Sequence, residues 1–253
     1  MRKFIAILSL IGVSTLGAVA QSDNDYNENF FLSFHSTAYF DFIWSPLRME
    51  YAPTGNIVIV DGQEVQEFRE IPYQSFAYNV FSFGLEPRYN VRTLDENTAI
   101  AVSSPISIGL GQVGPPPSEV AVGSVEGFGS IQIPLYAKLY VGSGSTYESE
   151  KDYGVSLGVG LEYNKLGLIR LDNTSDPATP ENKGFVVPVA SLGFHFWRGM
   201  NPVEINIKYG QGRPTEYSID RYGDPILSSN GLFTKAIGKS RSIKIGVSYL
   251  LNY

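Results

Sequence analysis

Apolar and small or polar residues alternate along much of this chain. In Tyr153–Asn164 (YGVSLGVGLEYN), Tyr153, Val155, Leu157, Val159, Leu161 and Tyr163 fall on one side, and Gly154, Ser156, Gly158, Gly160, Glu162 and Asn164 on the other. Val203, Ile205, Ile207 and Tyr209 oppose Glu204, Asn206, Lys208 and Gly210 in the same way. From Ser242 onward Ile243, Ile245, Val247, Tyr249, Leu251 and Tyr253 oppose Ser242, Lys244, Gly246, Ser248, Leu250 and Asn252. A period of two is the mark of strands with one apolar face. Looser alternation over Phe30–Trp44, Tyr73–Val91, Thr98–Gly111, Gly127–Val141 and Phe185–Trp197 brings the expected strands to eight. Most are long enough to cross a bilayer when tilted, which takes about 9–11 residues.

The connections alternate as well. The gaps 45–72, 112–126, 165–184 and 211–241 are long, and the intervening gaps 92–97, 142–152 and 198–202 are shorter. Short periplasmic turns and long extracellular loops produce this pattern in membrane barrels, with both termini on the periplasmic side. An even number of antiparallel strands also closes without an unpaired edge in lipid. A soluble eight-stranded barrel would turn its apolar face inward and clothe the other in Lys and Glu. Here the second face is largely Gly and Ser (Ser103, Ser107, Gly109, Gly154, Ser156, Gly158, Gly160), which suits a cramped interior. The bulky face ends in tyrosines, as an aromatic girdle does. The expected fold is therefore all-β, an eight-stranded antiparallel transmembrane β-barrel with short periplasmic turns and long extracellular loops.

Composition narrows the function classes. With no cysteine among 253 residues, disulfides, thiolate nucleophiles and zinc–cysteine sites are excluded. A net charge of −6 with 19 Lys plus Arg argues against nucleic-acid binding, which draws its affinity from cations on phosphates. Met1-Arg2-Lys3, the apolar run Phe4–Leu16 and the small residues of Ala18-Val19-Ala20 read as a secretory signal over 1–20. Residues 21–29 (QSDNDYNEN) form a polar, flexible periplasmic lead-in, and 30–253 the barrel.

The alternating strands over Phe30–Tyr253, the ending Tyr249-Leu250-Leu251-Asn252-Tyr253 and the acidic, Asn-rich start after Ala20-Gln21 make the chain resemble a known group. It is similar to the small eight-stranded outer-membrane β-barrels of Gram-negative bacteria, of the Bacteroidetes type. The resemblance implies an outer-membrane location among that membrane's lipids. It also implies that Tyr249, Leu251 and Tyr253 form the signal read by the barrel-insertion machinery. It carries no activity with it.

Several motifs invite a catalytic or ligand-binding reading. Gly109-Leu110-Gly111-Gln112-Val113-Gly114 matches GxGxxG, but Pro115-Pro116-Pro117 follows where a dinucleotide site needs a helix. The motif is expected at a barrel rim. Asn173-Thr174-Ser175 is formally a glycosylation sequon. His35 and His195 fall on the lumen face with no ligand spacing for a metal, and none is expected. Lipid A-modifying barrels of this size use a histidine near the outer leaflet, some with a serine beside it. Ser36 adjoins His35 but points to the other face, and both histidines fall nearer the periplasmic end. No catalytic residues and no cofactor are expected.

The charged residues of the polar register are more telling. Glu86, Arg88, Lys138, Glu162, Glu204, Lys208 and Lys244 all fall there, with Asp41 a further acid and His35 and His195 alongside. Glu86, Arg88, Lys138, Glu204 and Lys208 count into a band about 15 Å deep at the periplasmic end, at roughly 3.3 Å rise and 45° tilt. The expectation is a salt-bridged belt that plugs the lumen, with a gated narrow pore as its rival. Outside the membrane, residues 47–72 carry a net negative charge and include Asn56–Val65, which reads as a hairpin turning at Asp61-Gly62. Residues 213–239 form the second large loop. These two loops are the candidate contacts for an envelope partner. The role expected is structural or adhesive, or membership of an envelope assembly; the alternatives are a narrow channel for small solutes or lipid-like molecules and, behind it, a lipid-acting enzyme. The N-terminal sequence of the purified protein should begin at Gln21; retention of Met1–Ala20 would refute the signal assignment.

Overall fold

The computed structural model describes residues 28–117, 124–171, 183–198, 201–219 and 234–251. The signal segment, nearly all of the lead-in, the sequon and Tyr253 lie outside them. The described residues form eleven strands: β1 (Phe30–Trp44), β2 (Arg48–Val60), β3 (Gln63–Tyr73), β4 (Phe76–Asp95), β5 (Thr98–Ser103), β6 (Ile106–Gly114), β7 (Gly127–Gly142), β8 (Tyr153–Arg170), β9 (Phe185–Arg198), β10 (Asn201–Ile219) and β11 (Thr234–Leu250). β2 and β3 form a separate hairpin. The others make an antiparallel ring in which β5 and β6 share one stave and β1 pairs with both β11 and β4. Eight staves result, as the alternation predicts.

The third expected strand, Thr98–Gly111, is broken at Ser104-Pro105. Pro105 has no N–H to donate to the ladder. Around the break Ser104 N donates to Pro87 O at 3.1 Å, and Ser104 Oγ to Pro134 O at 2.6 Å. The second expected strand also shifts, since Tyr73 ends β3 and the barrel strand starts at Phe76. Gly109 and Gly111 lie within β6, both buried, and not at the rim expected of the GxGxxG segment. The 213–239 loop is shorter than expected, because β10 and β11 pair as far as Ile219 and Thr234.

The two faces differ as lipid and interior demand. Tyr153, Val155, Leu157, Val159 and Leu161 of β8 are 49–66% exposed, whereas Gly154, Ser156, Gly158, Glu162 and Asn164 between them are buried. Phe194, Ile205, Ile207 and Tyr249 continue the apolar outer wall on neighbouring staves. Such a belt is lipid-facing surface, and every stave of the ring pairs with a neighbour on both sides. In β1 the alternation is interrupted by a bulge: Tyr39 has φ 63° and stays 62% exposed, and Asp41 returns to the lumen.

The hairpin turns at Asp61 (φ 52°) and Gly62 (φ 78°), the paired positive φ of a type I′ turn, which Gly supplies without strain. Its root is tied to the barrel. Gln74 Nε2 donates to Ser45 O at 2.8 Å and Lys239 O at 3.3 Å, and Val125 N donates to Ser75 Oγ at 3.0 Å.

Charge placed on the outer wall must be desolvated into lipid. Val159→Arg should destabilise the folded barrel by about 2–4 kcal/mol in bilayers, read from its urea unfolding midpoint. An unchanged midpoint would refute the lipid-facing assignment of β8.

Candidate functional site

The lumen is the one place where the described residues concentrate chemistry. An eight-stranded ring encloses only enough space for side chains, so each inward charge must find its partner among other inward groups. Glu86, Arg88, Lys138, Glu162, Glu204, Lys208, Lys244, His35 and His195 are all inward and at most 8% exposed, and Asp41 joins them at 0%. Four acidic side chains thus face four basic ones.

Glu86, Arg88, Lys138, Glu204 and Lys208, which strand counting groups toward the short-turn end, are joined by Glu162, Lys244 and Asp41 into a set that extends farther along the lumen. Lys138 Nζ meets Glu86 Oε1 at 2.7 Å. Lys208 pairs with Glu162 and also donates to Gln132 Oε1 at 2.6 Å. Gln132 Nε2 in turn donates to both Asp41 oxygens at 2.9 and 2.8 Å. Asp41 further accepts from Asn79 Nδ2 at 3.0 Å and has Lys244 Nζ at 3.9 Å, itself 2.9 Å from Ser107 Oγ. Asp41 and Gln132 lie near the long-loop ends of β1 and β7. The belt is therefore a column climbing the lumen, because strand tilt sets residues of different depth side by side.

Toward the short-turn end, Glu204 accepts from Ser156 Oγ at 2.8 Å and stands 3.6 Å from His195 Nε2. Arg88 lies between the rings of Phe31 and Tyr140, its guanidinium carbon 3.8 and 4.2 Å from their centroids. It donates to Gly144 O at 2.7 Å. Toward the long-loop end the lumen turns apolar: Ile43, Ala77, Val113, Leu166, Phe185 and Val187 pack in one buried cluster. Alternation alone does not predict this layer, although Phe185 and Val187 share the inward register of His195.

His35 has a hydroxyl partner after all, supplied by another strand. Its Nδ1 is 3.0 Å from Ser248 Oγ, and Asn206 Nδ2 donates to that Oγ at 3.1 Å. His35 and Ser248 are direct register partners on β1 and β11. Both are sealed, at 3% and 2% exposure, and two small cavities that adjoin them have room for about one water each. No substrate-sized space reaches the pair. Among the described residues no group of three His, Asp or Glu converges as metal ligands do. Of the proposed insertion signal, Tyr249 and Leu251 are 37% and 52% exposed.

No protein-family model matches the chain, and no curated protein matches it in sequence. Among solved structures it is similar to the outer membrane protein OprG from Pseudomonas aeruginosa. That likeness has 12% identity and a TM-score of 0.39, over 89% of this chain and 97% of that one.

Breaking a buried pair leaves a stranded charge. Lys208→Met should therefore cost about 3–5 kcal/mol, while Lys208→Met combined with Glu162→Gln should recover most of it. Denaturant midpoints of the refolded barrel measure both. A double variant no more stable than the single one would show that Lys208 does not serve Glu162.

Proposed function

We propose that this protein is a non-conducting structural barrel of the outer membrane, which presents the β2–β3 hairpin to a partner in the cell envelope. The apolar outer wall supports the membrane location. The cross-tied lumen supports a plug: a lattice of paired charges lies beneath an apolar layer, and two small cavities within it have room for about one water each.

The hairpin carries the docking part of the reading. It forms a two-stranded sheet of its own, with Ile57 65%, Ile59 75%, Val60 52% and Val65 43% exposed. An isolated hairpin in water gains little from such residues, and consecutive exposed β-branched side chains beside unpaired strand edges invite pairing with another chain. Asp61, Glu64 and Glu67 are exposed among them. The partner best suited is an extended segment with basic and apolar residues, added as a further strand. Residues 213–239 are a second candidate surface, of which 220–233 lie outside the described residues.

The test joins assembly with conductance. In mild-detergent extracts of native membranes the protein should run in a complex of defined size. Ile57→Asp with Ile59→Asp should release it as a lone barrel, and reconstituted wild type should show no steady conductance in planar bilayers. A lone wild-type particle would overturn docking, and spontaneous channels would overturn the plug.

A further inference from the structure

At the short-turn end β4 and β5 are joined by the two residues 96–97, and β10 starts at Asn201 close after β9 ends at Arg198. The third connection, 143–152, is far longer than a hairpin needs. Its extra residues fold across the mouth. Ser143, Ser145, Thr146 and Ser149 are buried, while Glu148, Glu150, Lys151 and Asp152 face outward.

The segment touches the ends of most staves. Thr146 Oγ1 donates to Glu96 O, and Ser149 Oγ contacts Asn97 Oδ1 at 3.0 Å. Tyr147 stacks on Phe31 at 4.5 Å between centroids and donates to Phe30 O at 3.0 Å. Trp197 Nε1 donates to Lys151 O at 2.9 Å. From inside the lumen Arg88 and Asn90 hold the carbonyls of Gly144 and Ser145, Asn90 Nδ2 at 2.8 Å. Gly144, at φ 68°, lets the backbone pass against Pro202 where a side chain would be strained. Behind it lies a small cavity lined by Ser33, Arg88, Tyr140, His195, Glu204 and Ser248, among others.

We propose that residues 143–152 are a lid over the periplasmic mouth, latched from within by Arg88 and from its own side by Tyr147, whose release opens the chamber beneath to water-soluble molecules. The latch is made mostly of side-chain contacts to one segment, and the ring's backbone ladder does not depend on them. Release therefore costs a local opening and not the barrel. The charge lattice above stays in place, so the lid governs entry to the lower chamber only, and it stands whether or not the hairpin docks a partner.

The chain has no cysteine, so a single introduced one reports access cleanly. In the full-length barrel reconstituted in liposomes, Ser33→Cys should react slowly with a trimethylammonium-ethyl methanethiosulfonate, and Glu150→Cys, outside the lid, quickly. Adding Tyr147→Ser or Arg88→Ala should speed Ser33→Cys by about tenfold or more and leave Glu150→Cys unchanged. Heat-modifiable gel mobility confirms that each variant retains its barrel. Should Arg88→Ala fail to fold, Tyr147→Ser alone decides, because it leaves every lumen charge in place. A Ser33→Cys rate equal to that of Glu150→Cys while the latch is intact, or a rate unmoved by the latch substitution in a folded barrel, overturns the proposal.

Discussion

The interior of an eight-stranded ring is too narrow to keep its charges hydrated, and the rest of the structure follows from that constraint. Asp41, fully buried, has no bulk water to solvate it and is satisfied by three side chains from other staves: Gln132, Asn79 and Lys244. Gln132 is bound at its other end by Lys208, which also serves Glu162. A single carboxylate on β1 is thereby linked through side chains to β4, β7, β8, β10 and β11. The bulge at Tyr39 belongs to the same constraint, since it takes up the irregular register of β1 on the lipid side and leaves Asp41 inside. Ion pairs in a low-dielectric interior add little over well-packed apolar residues, yet removing one member is costly. The lattice therefore specifies one register more than it adds stability.

That division explains what was legible in the sequence. Lipid outside and crowded polar packing inside impose opposite chemistry on successive residues, so strands such as Tyr153–Asn164 announce both their existence and their facing. The inward assignment of Glu86, Lys138 and Glu204 needs only parity. Partnership needs register and tilt, which a single strand does not carry. Ser248 is far from His35 along the chain and opposite it in space, whereas the serine adjoining His35 in sequence, Ser36, is on the wrong face. Gln132 and Asn79 look like ordinary polar residues until the ring brings them to Asp41. The proline break at Ser104-Pro105 is visible as composition, but its repair by Ser104 bonding to Pro87 and Pro134 depends on which strands flank it. The segment 143–152, rich in Ser and acidic residues, has the composition of a solvated turn. It folds inward because the mouth of the ring offers it carbonyl, aromatic and cationic partners at once.

The two ends of the barrel are closed by different physics, and the difference bears on what each end can do. At the long-loop end, Ile43, Val113, Phe185 and Val187 form a buried apolar layer, and the hairpin root above is fixed by Gln74, Ser45 and Ser75. Apolar packing has no discrete release point, so this end behaves as a rigid base. A partner strand added to β2–β3 would grip a handle whose foot bonds both to Val125 before β7 and to Lys239 of β11. At the short-turn end, closure rests on a few directional contacts to one segment, Arg88 to Gly144 and Tyr147 to Phe31 foremost. Contacts of that kind are lost together or kept together. A ring closed this way is held at its long-loop end by packing spread over many residues and at its short-turn end by a few directional bonds, with the lattice around Asp41 tying the staves together between them.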